Sequence, residues 1–313
     1  MAGAVNFWVF LLLFTTPSLG AETNVHDLGQ VKGAITQPQG RRDFAEQIEG
    51  KADPAPLGGI LPAGLSRQTI ISLIAPQDDP ALVTFVGAKK WPLVADDYVA
   101  IVCAADSADD KKYATPDNKA CDNRPDVFLG VIAMPEGGAA KLVARTPPGF
   151  VLTSDWSPPD SAPVLIPSIT PIDPHSDTEF PVGRSDDEVD SFDLAPYRIA
   201  PNTAAFGVRS AQHEGYAGGG AMFQTLHLFV IDGERLKRVL AQSIYVSKLT
   251  AGDWNPNGTR QHQEDETTLV IAVLSTMTAG HYNLRVSERG AHNKAMLHWN
   301  EAAGVYWVPG SGP

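Results

Sequence analysis

The sequence predicts a mainly β fold with little helix, built from antiparallel sandwich- or propeller-like units. Two observations lead to this prediction. The apolar runs of the 313-residue chain are short and rich in β-branched residues, and turn signals separate them at the intervals of all-β proteins. The chain also contains 28 glycines and 25 prolines, which is turn-rich but short of a low-complexity composition.

The predicted strands share a short apolar run bounded by turn residues. They are residues 69–74, 81–86, 98–103, 127–134, 141–145, 204–209, 225–231, 236–246, 268–274, 283–286 and 296–306. The apolar positions of 236–246 also fit a period of 3.6, so a short helix is the alternative for that run.

Aligning these strands indicates a weak internal repeat of three strand–loop–hairpin modules. The modules begin at residues 98, 204 and 269. The first two hairpins turn at Gly137-Gly138 and at Asp232-Gly233, dipeptides that tolerate the positive φ of tight turns. Because the starts are unevenly spaced, the repeat does not specify a solenoid or a propeller.

The amino terminus predicts export. The first twenty residues contain no charged side chain, and an apolar run at 7–14 is followed by Ser18 and Gly20, which fit a signal-peptidase site before Ala21. No later run reaches the 18 apolar residues of a membrane-spanning helix. We therefore expect residues 1–20 to be removed and the mature protein to be soluble in the periplasm or outside the cell, with no transmembrane segment.

Composition shifts divide the rest of the chain. Residues 21–54 are expected to form a flexible arm, and 55–150 a β-rich half with a disulfide. Nine prolines between Thr146 and Gly183 indicate an extended acidic connection over 151–190, in which 185–190 is expected to be a solvated turn. Residues 191–313 then form a second β-rich half with two of the modules.

Net charge and cysteine content restrict the function further. The net charge of −12 argues against nucleic acid as a partner. The two cysteines, Cys103 and Cys121, are too far apart for a CxxC redox motif, and an oxidising compartment permits a disulfide between them. Both lie beside apolar runs, so the disulfide is expected to join two neighbouring strands.

One short segment matches a calcium-loop pattern. Asp253, Asn255 and Asn257 alternate before Gly258, and Glu264 follows. A calcium ion prefers such alternating oxygen ligands with a closing carboxylate, and the Thr259 carbonyl would add another. These twelve residues resemble EF-hand-type calcium loops and the calcium loops of FG-GAP-like β-propeller repeats, and the resemblance implies calcium as a cofactor. The alternative is a turn that needs no metal, because Asn-Pro and Asn-Gly turn readily.

A second segment is rich in glycine and is predicted to be a ligand-binding loop. Its proposed binding residues are His213, Glu214, Tyr216, Gly218, Gly219 and Gly220. Glycines allow close approach of a ligand to the backbone, and a His-Glu pair supplies acid–base capacity. The alternative is an ordinary connection between strands.

No catalytic residue is assigned, because phosphate-loop, HExxH and GxSxG motifs are all absent from the sequence. Long loops are expected at 104–126, 210–221 and 252–266, and the repeat would cluster them at one end. The sequence therefore favours a secreted or periplasmic binding protein that recognises a protein or cell-envelope component through these loops, as an inhibitor or immunity-type protein would. The first alternative is a hydrolase using Asp253, His262, Glu264 and Glu266, or His213 and Glu214. The second is a calcium-stabilised structural or adhesive module.

Overall fold

The computed structural model describes residues 53–114, 121, 126–147, 150, 152, 188–216, 219–256, 260–289, 292 and 294–308. The predicted signal peptide, the arm up to residue 52 and most of the proline-rich connection lie outside these residues. In chain order the elements are α1 (Arg67–Ile74), β1 (Val83–Lys90), β2 (Asp97–Ala104), a 3-10 helix (Asp110–Tyr113), β3 (Asp126–Ala133), β4 (Lys141–Arg145), β5 (Glu188–Asp193), β6 (Arg198–Ala200), β7 (Thr203–Ala204), β8 (Phe206–Tyr216), β9 (Gly219–Asp232), β10 (Arg235–Trp254), β11 (Arg260–Thr278), β12 (His281–Glu288), β13 (Lys294–Asn300) and β14 (Val305–Trp307).

The prediction of a mainly β, antiparallel fold is confirmed. Twelve strands form one hydrogen-bonded sheet with the path β1-β2-β3-β4-β10-β11-β12-β13-β14, and β9, β8 and β5 continue in that order from β10. The pairing of β4 with β10, through Arg145 and Arg235, is parallel. Each predicted module corresponds to three consecutive antiparallel strands: β2–β4, β8–β10 and β11–β13.

The prediction of a strand at residues 69–74 is wrong, because this segment belongs to helix α1. Ser66 caps the helix, and its hydroxyl accepts a hydrogen bond from the Thr69 amide at 3.0 Å. The buried residues Ile70, Ile71 and Ile74 share one helical face. Isoleucine has a high strand propensity, but packing of this face on the sheet overrides it.

Other strands differ from the prediction in extent. The predicted strand 296–306 is two strands, β13 and β14, separated by a turn at 301–304. The acidic run 185–190 is expected to be a solvated turn, but this is wrong for its last three residues, because residues 188–190 begin β5. Strands β8, β10 and β11 continue well beyond their apolar runs, so residues assigned to loops at 210–221 and 252–266 are largely paired.

The first four strands are covered on both faces. In β2, Ala100, Val102 and Ala104 pack with α1 in one hydrophobic cluster. The alternate residues of the same strand, among them Ile101 and Cys103, pack in a second cluster against side chains of β5, β8 and β9. The path of the sheet therefore folds back on itself to form a sandwich.

A third cluster lies on the other face of β9 and β10. Leu226, Leu228 and Val230 of β9 point to it and meet Leu284 and Val286 of β12. Phe229 belongs to the second cluster, so the central strands are covered on both faces. Residues Pro54–Pro313 form one compact unit, and the second cluster draws on both sides of the proline-rich segment. The division into two β-rich halves stays a prediction.

The predicted disulfide between Cys103 and Cys121 is present, with the two Cα atoms 5.8 Å apart. Cys103 lies in β2, whereas Cys121 forms an isolated bridge with Val189 of β5. The disulfide therefore joins the two layers of the sandwich, rather than closing two neighbouring strands as the sequence suggested.

Candidate functional site

Two adjacent hairpins extend past the packed layers. We call their ends the distal sheet, which comprises residues 212–216 and 219–223 of the β8–β9 hairpin and 247–254 and 260–267 of the β10–β11 hairpin. The hairpins are joined edge to edge, since Gly220 of β9 pairs with Leu249 of β10. The distal sheet is thus four strands wide and continuous with the core.

Neither face of β11 is covered in the distal sheet. Residues 261–266 are all exposed. Successive side chains of a strand point to opposite faces, so six consecutive exposed residues mean that no other layer packs on either side. The sequence pattern of this part of β11 is polar, which is why hydrophobic periodicity did not reveal it as a strand.

The distal sheet also exposes large apolar side chains. Trp254 is 69% exposed near the tip of the β10–β11 hairpin, and Leu249 is 38% exposed on the same strand. The Arg260 guanidinium lies 5.6 Å from the centre of the Trp254 ring and donates a hydrogen bond to the Gly252 carbonyl at 2.9 Å. These contacts hold the indole in place while leaving most of its surface accessible.

One face of the distal sheet carries acidic groups. Glu266 lies opposite Ser247, and Glu264 lies opposite Leu249. Partial burial raises the pKa of the neighbouring Tyr245 hydroxyl, and the negative charges of Glu266 and Glu264 raise it further. The two carboxylates and the tyrosine therefore form one local electrostatic environment.

The base of the distal sheet is fixed by polar contacts with β5. Arg209 of β8 binds one carboxylate oxygen of Asp193 through two nitrogens, at 2.7 and 3.0 Å. Gln224 of β9 donates a hydrogen bond to Asp190 at 3.0 Å. These side chains attach the β8–β9 hairpin to the neighbouring strand.

The residues of the calcium pattern are spread along the β10–β11 hairpin. Asp253 lies near the tip, and Asn255 accepts a hydrogen bond from the Gln261 side chain at 3.0 Å. Glu264 lies on β11 opposite Leu249, three to four residues away from the hairpin tip that carries Asp253, which is about 10 Å along the strand. Two oxygens on one calcium ion are within about 5 Å of each other. The hairpin register does not bring these carboxylates together, and Asn257, Gly258 and Thr259 lie outside the described residues.

The predicted ligand-binding loop is the end of the β8–β9 hairpin. His213, Glu214 and Tyr216 lie in β8, while Gly219 and Gly220 begin β9. The pairing continues to its last residues, with Tyr216 opposite Gly219. Gly218 lies outside the described residues. The segment is therefore part of the distal sheet rather than a long loop.

The two sets named for a hydrolase lie on different hairpins. In the first set, His262, Glu264 and Glu266 are alternate residues of β11, so their side chains share one face and successive Cα atoms are about 7 Å apart. In the second set, His213 of β8 lies three strand spacings, about 14 Å, from Glu266, along the cross-strand row His213, Met222, Ser247 and Glu266. Across the described ranges, no group of three or more His, Cys, Asp or Glu side chains is placed to hold a metal ion.

Sequence reasoning missed a buried polar row in the central strands. His227 of β9 is fully buried, and its Nε2 lies 2.9 Å from the Ser210 hydroxyl of β8. Its Nδ1 faces an Arg238 guanidinium nitrogen of β10 at 3.5 Å. Burial, and secondarily the charge of Arg238, hold the pKa of His227 well below its usual range.

The direction of the hydrogen bond between His227 and Ser210 is opposite to that in a catalytic Ser-His pair. Because guanidinium only donates, Nδ1 of His227 accepts and its proton resides on Nε2. Nε2 then donates to the Ser210 hydroxyl, whereas a general base would accept the proton of the serine. The row is therefore a structural network in the sandwich and not a catalytic dyad.

Comparison with protein-family models, curated proteins and solved structures finds no match. In the described part of the chain, no helix is long and apolar enough to cross a membrane. The surfaces and contacts of the chain itself are therefore the basis for a functional interpretation.

Proposed function

We propose that this chain is an exported binding protein that recognises a protein ligand through its distal sheet. The observation that carries the proposal is the run of exposed residues 261–266, on a strand held in register by its pairing with β10. A strand that is exposed on both faces gains little from burial of its own side chains. A ligand that covers one face would supply the missing burial.

The exposed apolar groups support the same function. Trp254 and Leu249 lie on one strand of the distal sheet, and Trp is over-represented among residues that contribute most to binding energy. The cation–π contact with Arg260 limits the rotamer freedom that the indole would lose on binding. Export is supported by the disulfide and by the uncharged apolar amino terminus.

Site-specific photo-crosslinking tests this function. A photoreactive residue replaces Leu249 in one protein and Tyr113, which is 77% exposed in the 3-10 helix, in the control. Both proteins are irradiated in envelope extract of the source organism. A reproducible adduct at position 249 that is absent at position 113 and weakened by Trp254→Ala is expected. Adducts of equal yield at both positions, or none, contradict the function.

A further inference from the structure

The outer edge of β11 is unpaired within the distal sheet. β11 pairs with β10 along residues 260–268 and with β12 only from Leu269 onward. Between Arg260 and Thr267, no described strand lies on the side away from β10. The side chains at 261–266 are exposed, so this edge is accessible.

The direction of the backbone groups on this edge follows from one hydrogen bond. The Thr268 carbonyl accepts from the Arg289 amide at 2.8 Å, and therefore points away from β10. Alternate residues of a strand direct their N–H and C=O groups to the same side, and the register with β10 is unbroken from Thr268 to His262. The backbone groups of His262, Glu264 and Glu266 therefore point to the free edge, and those of Gln263 and Asp265 point to β10.

The side chains along this edge determine which strand can pair with it. Glu264, Asp265 and Glu266 are consecutive and exposed. A second copy of β11 would place these carboxylates against each other, which is unfavourable for directly opposed residues. A strand carrying lysine or arginine at alternate positions would place its charges opposite Glu264 and Glu266.

We propose that the free edge of β11 binds an extended, positively charged segment of the protein ligand as an added strand. This inference rests on the proposed function, because it names the part of the ligand that the distal sheet contacts. The backbone groups of His262, Glu264 and Glu266 supply the hydrogen bonds, and the acidic side chains select the charge.

Two substitutions of Glu264 distinguish the contribution of backbone hydrogen bonds to binding from the contribution of the carboxylate charge. Glu264→Pro removes an amide donor on the free edge without affecting the ladder to β10, because that amide points away from β10. Glu264→Gln removes the charge and keeps the amide. Thermal unfolding of both variants verifies that the hairpin is retained.

The probe is a ten-residue synthetic peptide of alternating lysine and threonine. The comparison peptides replace lysine with glutamate or carry N-methyl groups at alternate amides. The lysine peptide is expected to bind about fivefold more weakly to Glu264→Pro, the effect of one net hydrogen bond, and about twofold more weakly to Glu264→Gln. The N-methylated and glutamate peptides are expected not to bind.

Hydrogen exchange gives a second readout that charge alone does not change. The amides of Gln263 and Asp265 are expected to exchange slowly in the free protein, and those of His262, Glu264 and Glu266 quickly. The lysine peptide should slow the second set selectively. Equal binding of the N-methylated peptide, unchanged exchange at these three amides, or no binding would overturn the inference. The proposed function is judged separately, by the crosslink at position 249.

Discussion

Acidification is expected to destabilise the fold through His227, and His227→Gln should remove this part of the pH dependence. The folded protein holds His227 neutral, because burial and Arg238 lower its pKa. The unfolded chain takes up a proton near the ordinary pKa of histidine, about 6.5. The unfolded state therefore binds more protons below this pH, and stability falls as the pH falls.

The magnitude follows from the linkage relation. The contribution of His227 is fully present above about pH 6.5. It is lost at a rate that approaches about 1.4 kcal/mol per pH unit between that pH and the lower pKa of the folded state. Over one unit this corresponds to about a tenfold change in the ratio of folded to unfolded protein.

Urea unfolding of wild type and His227→Gln across this pH range measures the effect. Glutamine keeps an N–H donor for the Ser210 hydroxyl but does not titrate. Burial raises the pKa of the Asp78, Asp97 and Asp190 carboxyls, which makes stability rise as the pH falls. These carboxyls are present in both proteins, so their effect cancels in the difference between the two profiles. His262→Gln, at an exposed position, is the control. Parallel profiles for wild type and His227→Gln would refute the reasoning.

Three further predictions follow from the fold. Replacing Cys103 and Cys121 with serine should lower the free energy of unfolding by about 3 kcal/mol in chemical denaturation, and an unchanged value would show that the disulfide adds no constraint. Gly130→Ala should cost about 1–3 kcal/mol, because its Cβ would lie 2.8 Å from the Ile74 Cγ1 of α1, whereas Gly215→Ala meets nothing within 4 Å and should be near neutral in the same assay. Because the hairpin register separates the carboxylates of the calcium pattern, the melting temperature should be equal in millimolar calcium and in chelator. A rise in calcium would instead support the predicted site.

Much of the fold can be predicted from the sequence, because buried strands are rich in apolar and β-branched residues. The errors have physical causes. In α1, isoleucines at helical spacing resemble a strand until the cap at Ser66 is considered. In β5, the exposed acidic residues Glu188 and Asp190 alternate with few buried apolar residues, so the segment lacks the apolar run that predicts a strand. The ends of β10 and β11 are polar on both faces, so periodicity carries no signal there.

The candidate site is less predictable than the fold for the same reason. Its residues were singled out within loops, but cross-strand pairing decides which of them are neighbours. His227 shows this most clearly. Its placement on the sheet face opposite Leu226 and Leu228 follows from the alternation of side chains along a strand. Its partners, Ser210 and Arg238, come from two other strands whose register the sequence does not reveal.

The buried polar row also determines how the central strands can align. Where one face of a sheet is exposed to solvent, shifting the register by one residue is unfavourable because it moves the apolar side chains from the buried face to the exposed face. That penalty is weak for β9, since both of its faces are apolar and covered. A slip of two residues would keep every face buried but move Ser210 about 7 Å along the strand from His227. In this central sheet, hydrogen bonding of a few polar atoms distinguishes the native alignment from neighbours that hydrophobicity alone would accept.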